Sequence, residues 1–107
     1  MERISLCELV EWRAAGRAFT LIDVRRDAVR HTDGADIPGA TWRDPEHLFT
    51  WKDAVPRDRP VVFVCAHGHE ISQGAAGTLR AMGLDARYLI DGFAGWKAAG
   101  QPLQPIG

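Results

Sequence analysis

The sequence predicts an α/β fold, a parallel sheet with helices on both faces. Short runs rich in β-branched and aromatic residues, at 19–24, 61–65 and 86–90, have strand length and are largely apolar, as strands covered on both faces are. Stretches of helical spacing separate these runs. Strands alternating with helices close into a parallel sheet through right-handed crossovers.

In chain order, Ser5-Leu6-Cys7-Glu8 has the form of a capping box,. Behind it Leu6, Leu9, Val10 and Ala14 keep helical spacing, and Gly16 is the stop,. Residues 19–24 form a buried strand. Ile37-Pro38-Gly39-Ala40 marks a turn before a brief strand near Thr41-Trp42, and residues 46–52 suit a short helix,. Residues 61–65 give the clearest strand. An alanine-rich helix is expected from Ser72 to Met82, closed by Gly83. Residues 86–90 form a further strand, and Asp91-Gly92 turns into a last short helix through Trp96, ended by Gly100 and Pro102.

No repeat, low-complexity tract or linker interrupts the 107 residues, which suit one domain spanning 1–107,. The sequence is equally consistent with a domain excised from a longer chain. Thirteen basic residues stand against 14 acidic ones, and no basic block exceeds Arg25-Arg26. Nucleic acid and anionic membrane are therefore not expected partners. The first residues lack an apolar leader core, no membrane span is visible, and Cys7 and Cys65 form neither a disulfide framework nor a zinc ribbon,. A reducing cytoplasmic setting is expected, and the chain as a monomer or weak dimer. Cys7 has no ligand-type neighbour at suitable spacing and reads as a packing or partly exposed thiol.

Cys65 is the chemical candidate. A strand ends on it, and a short loop containing Gly68 leads into a helix. Backbone N–H groups and the partial positive charge of a helix N-terminus then favour thiolate over thiol. The competing reading is a small buried cysteine at a strand end.

Several segments together resemble the rhodanese-like family of sulfurtransferases. Leu21-Ile22-Asp23-Val24-Arg25 is similar to the family's first core strand. Gly34-Ala35-Asp36-Ile37-Pro38-Gly39-Ala40 is similar to its Gly-His-Ile-Pro-Gly-Ala element, with Asp36 in place of the histidine. Asp91-Gly92-Phe93-Ala94-Gly95-Trp96, followed by Gly100 and Pro102, resembles its C-terminal signature. The resemblance implies a five-stranded parallel sheet and a persulfide on Cys65 during turnover, with no cofactor and no metal. Sulfane sulfur from a donor such as thiosulfate would pass through Cys65 to cyanide or a thiol. The backbone N–H groups of Ala66, His67, Gly68, His69, Glu70, Ile71 and Ser72 would cradle the anion. Gly68 would let the loop curl close to the sulfur.

The family often has an arginine five residues after the cysteine, where this chain has Glu70. A carboxylate there would repel the sulfonate that an arginine would grip. Alternatively Glu70 faces solvent or lies at the helix start, where negative charge is favourable. His67 and His69 either contact substrate or are exposed with modest effect. A Cys-x-His-x-His metal site is disfavoured, because alternate side chains of a curled loop point outward. Arg25 and Asp23 are placed at the pocket rim, in supporting roles.

Two other functions compete. A cysteine-based phosphatase or arsenate reductase needs a loop arginine, and none follows Cys65 until Arg80. A persulfide carrier or binding module would use a protein partner as donor.

Overall fold

The computed structural model describes residues 2–106. Met1 and Gly107, the ends of the expected 1–107 domain, lie outside them. The central strand is β5 (Val61–Val64), and its side chains sort by parity. Val61 and Phe63 enter one core, followed just beyond the strand by Cys65, while Val62 and Val64 enter the other. This is the two-residue period of a strand with both faces buried.

Strand β2 (Thr20–Asp23) flanks β5 in parallel, with Ile22 beside Phe63 and Asp23 beside Val64. Strand β6 (Ala86–Leu89) flanks the other side. With β1 (Arg3–Ile4) and β4 (Thr41–Trp42), the five-stranded parallel sheet runs β1-β6-β5-β2-β4. Helices α1 (Leu6–Ala14) and α5 (Gly92–Ala98) cover one face with Leu9, Trp12, Phe93 and Trp96. Helices α3 (Leu48–Trp51) and α4 (Glu70–Ala81) cover the other with Trp51, Ala75, Ala76 and Leu79. Among the described residues no helix is long and apolar enough to cross a membrane.

The capping box of α1 is formed: Glu8 N–H donates to Ser5 Oγ (3.1 Å) and Ser5 N–H to Glu8 Oε1 (3.2 Å). The helix expected at 46–52 is α3 between two 3₁₀ turns, Pro45–His47 and Lys52–Ala54. Helix α4 starts at Glu70, two residues before the expected Ser72. Gln73 N–H already donates to His69 O (3.1 Å), and Glu70 places favourable negative charge in the first turn,.

Strand β1 and helix α2 (Asp27–Asp33) were not anticipated, nor was the small antiparallel pair of β3 (Ala35–Asp36) and β7 (Gln104–Pro105). Helix α2 has no buried residue, so an apolar stripe does not hold it. Charge does. Arg25, 0% exposed, bonds Asp23 (2.6 Å), Asp36 (2.8 Å) and, from the last residue of α2, Asp33 (3.0 Å). Arg30 of α2 reaches Asp36 at 2.7 Å. Burial opposes the Arg25 charge, but hydrogen bonds and attraction from Asp23 and Asp33 prevail and hold its pKa above the ordinary arginine value. Hydrogen bonding from Arg30 holds the Asp36 carboxyl below its usual range against its own desolvation.

Two outcomes are expected. Arg25→Ala leaves carboxylates buried without their cation and should cost about 3–5 kcal/mol in urea unfolding. A loss below about 1 kcal/mol, the range of surface pairs, would contradict this account. Because Asp36 titrates lower folded than unfolded, its stabilisation is complete above about pH 4 and is lost as pH falls through the folded value. Asp36→Asn should therefore flatten the acid side of the stability profile, and an unchanged acid slope would count against the pairing.

Candidate functional site

Cys65 follows β5 immediately, at the carboxyl edge of the sheet where α/β folds bind ligands,. It is buried, and its Sγ lies 3.0 Å from the hydroxyl of Ser72, which is buried in the first turn of α4. A thiolate can only accept, so the ionised form takes the Ser72 hydroxyl as donor.

The loop between them is held from below by α5. Phe93 N–H donates to Cys65 O (2.8 Å) and Ala94 N–H to Ala66 O (2.9 Å). These are N-terminal amides of a helix, which lack partners of their own within it. Because trans peptides point C=O and N–H oppositely, fixing those carbonyls turns the N–H groups of Ala66 and His67 away from α5.

The approach is close enough to require glycine on both sides. Gly68 has φ +73°, and a Cβ there would lie 2.7 Å from Leu89 O and from Asp91 N. The obstruction that Gly68 avoids is therefore the β6–α5 turn, not the sulfur as the sequence suggested. Gly92 has φ +54°, and its Cβ would meet Cys65 O and lie 2.6 Å from Gly68 N. Asp91 adopts the left-handed conformation (φ 63°), and Gly95 leaves room for its side chain, since a Cβ there would lie 2.6 Å from Asp91 Cβ. The Asp91-Gly92-Phe93-Ala94-Gly95-Trp96 segment is thus the support of the cysteine loop.

A cleft of about 340 Å³ opens at Cys65, lined also by Ala66, His67, His69, Glu70, Ile71 and Arg26. It adjoins a groove of about 340 Å³ that shares Arg26, Glu70 and Ile71 and adds, among others, Val24, Glu46, Leu48 and Trp51. His67 and His69 are exposed, with ring centroids 6.3 Å apart. Glu70 is exposed at the start of α4 and also borders the cleft. Of the two tryptophans near this region, Trp51 lines the groove, whereas Trp42 Nε1 donates to Arg25 O (2.8 Å).

Arg25 and Asp23 do not form the rim. Both are buried, and Arg25 stacks on the Phe93 ring at 3.9 Å while bonding Asp23. The rim cation is Arg26, which sequence reasoning missed. Strand parity contained the signal: Ile22 and Val24 share the Cys65 face, so the next side chain of that parity is Arg26. Arg80 is occupied elsewhere, at Ala86 O (3.2 Å) and near Glu2 (3.5 Å).

The chain matches the Rhodanese-like domain family over residues 6–99 and belongs to that family. It is 34% identical to the Thiosulfate sulfurtransferase GlpE of Shewanella oneidensis, over 92% of this chain and 94% of that protein. It is 33% identical to the probable adenylyltransferase/sulfurtransferase MoeZ of Mycobacterium tuberculosis, over 89% of this chain but only 24% of MoeZ. Among solved structures, a rhodanese-related protein from Thermoplasma volcanium superposes with TM-score 0.83 at 24% identity, covering 97% of this chain and 98% of that one. A Rhodopseudomonas palustris protein described as a possible tyrosine phosphatase gives TM-score 0.83 at 28% identity, covering 97% of this chain and 85% of that one.

Gly92→Ala tests the joint beneath the loop. The added Cβ should cost about 1–3 kcal/mol by overpacking, with further strain from the positive φ, and should lower any Cys65-dependent activity more than Gly74→Ala does. Gly74 lies in α4 with open space around its Cβ position. Wild-type stability and Cys65 reactivity in Gly92→Ala would refute the joint.

Proposed function

We propose that this protein is a sulfurtransferase whose Cys65 accepts sulfane sulfur and passes it on. The observation behind this is a cysteine at a sheet's carboxyl edge, at the floor of a cleft and 3.0 Å from a buried serine hydroxyl at a helix start. Its sulfurtransferase-named relatives support the same reading.

With thiosulfate as donor, the Cys65 thiolate attacks the outer sulfur. The S–S bond breaks, sulfite leaves with the electron pair, and Cys65 holds a perthiolate. Cyanide or a thiolate then attacks the outer sulfur, and the Cys65 thiolate is released. The Ser72 hydroxyl and the backbone N–H groups of residues 66–72 are the proposed donors to the perthiolate. Phosphoryl transfer fits less well, because it needs an arginine fork within the loop, and the cleft's arginine, Arg26, is the residue that caps the start of α2,.

Thiocyanate formation from thiosulfate and cyanide should follow ping-pong kinetics. Cys65→Ser should abolish it with an unchanged circular dichroism spectrum, while Cys7→Ser, at an exposed position of α1, should match wild type. Turnover retained in folded Cys65→Ser would overturn the proposal.

A further inference from the structure

The charges around Cys65 suit a particular class of donor. Arg26 and Glu70 border the cysteine cleft, and the adjoining apolar groove of Leu48, Trp51 and Ile71 adds Glu46. Among the described residues these three charges make no ion pair with one another, so they are available to a ligand. An inorganic dianion at Cys65 would face the Arg26 guanidinium and the His67 and His69 rings but also the Glu70 carboxylate, with Glu46 in the adjoining groove, and it would leave that apolar groove unfilled. A molecule bearing one carboxylate, one ammonium and a short carbon body matches all three features.

Resting on the sulfur-transfer reading, we propose that the donor for this cleft is a low-molecular-weight amino-acid persulfide. Arg26 receives its carboxylate in a forked contact. Glu70, with Glu46 nearby, receives the ammonium, and the carbon body lies over Ile71 and Leu48. Specificity then arises as much from rejection as from attraction, since the two carboxylates disfavour purely anionic donors.

The step balances. The Cys65 thiolate attacks the outer sulfur of R–S–S–H, forming the Sγ–S bond and breaking the donor's S–S bond. R–S⁻ leaves with the electron pair. The proton of the new persulfide passes to R–S⁻, giving Cys65–S–S⁻ and R–SH. No oxidant or reductant is consumed.

The test compares single-turnover loading by four donors: cysteine persulfide, N-acetylcysteine persulfide (no ammonium), cysteamine persulfide (no carboxylate) and thiosulfate. The readout is the fraction of protein carrying one added sulfur. Wild type should load fastest with cysteine persulfide, by about tenfold over each truncated donor, one charged contact being worth about that factor. Glu70→Gln should erase the preference over the N-acetyl donor and keep the preference over cysteamine persulfide. Arg26→Gln should do the reverse. Equal loading by all three persulfides, preferences unmoved by either variant, or fastest loading by thiosulfate would overturn the donor assignment while leaving sulfur transfer standing. No loading of folded protein by any donor would overturn both.

Discussion

The site depends on one backbone joint, the packing of the Cys65 loop against the start of α5. Two carbonyls of the loop accept from two otherwise unpartnered amides of that helix, and glycines 68 and 92 meet at a distance that excludes a Cβ on either side. Turning the Cys65 and Ala66 carbonyls toward α5 leaves the amides of Ala66 and His67 for the opposite side, where a sulfur anion would need them,. Phe93 then links the joint to the interior, because its N–H holds Cys65 O and its ring carries the Arg25 guanidinium.

Around this joint, charge is divided between structure and chemistry. Arg25, at the end of β2, is fully enclosed by three aspartates and fastens α2 and β3, which have little apolar surface to bury. Its neighbour Arg26 has the opposite parity and lines the cleft. Adjacent arginines thus take unrelated tasks because a strand turns successive side chains to opposite faces. Asp36, where the family pattern has histidine, completes the structural half by pairing with both Arg25 and Arg30.

Much of this was legible in the sequence, for physical reasons that differ by element. Apolar runs gave β2, β5 and β6, and the capping box gave α1, because both signals are local. Strand β1 escaped notice because two residues at a sheet edge, only Ile4 of them buried, leave no pattern. Helix α2 escaped because it depends on ion pairs to distant aspartates rather than on an apolar stripe. Within the site, Cys65 and its loop stood out as a strand–loop–helix junction. The rim role reads onto Arg25 from the sequence, with none for Arg26, because the parity that turns Arg26 to the cysteine face continues beyond the end of β2. The close approach of Gly68 to Gly92 spans 24 positions in sequence and becomes visible only when β6 lies beside β5.

The most direct test of the central claim is peptide mapping of protein loaded with a sulfane donor, before and after cyanide. The account predicts one added sulfur, about 32 Da, on the peptide that contains Cys65, removed quantitatively by cyanide as a covalent intermediate should be. Sulfur found only on the Cys7 peptide, or sulfur on Cys65 that cyanide does not remove, would contradict it.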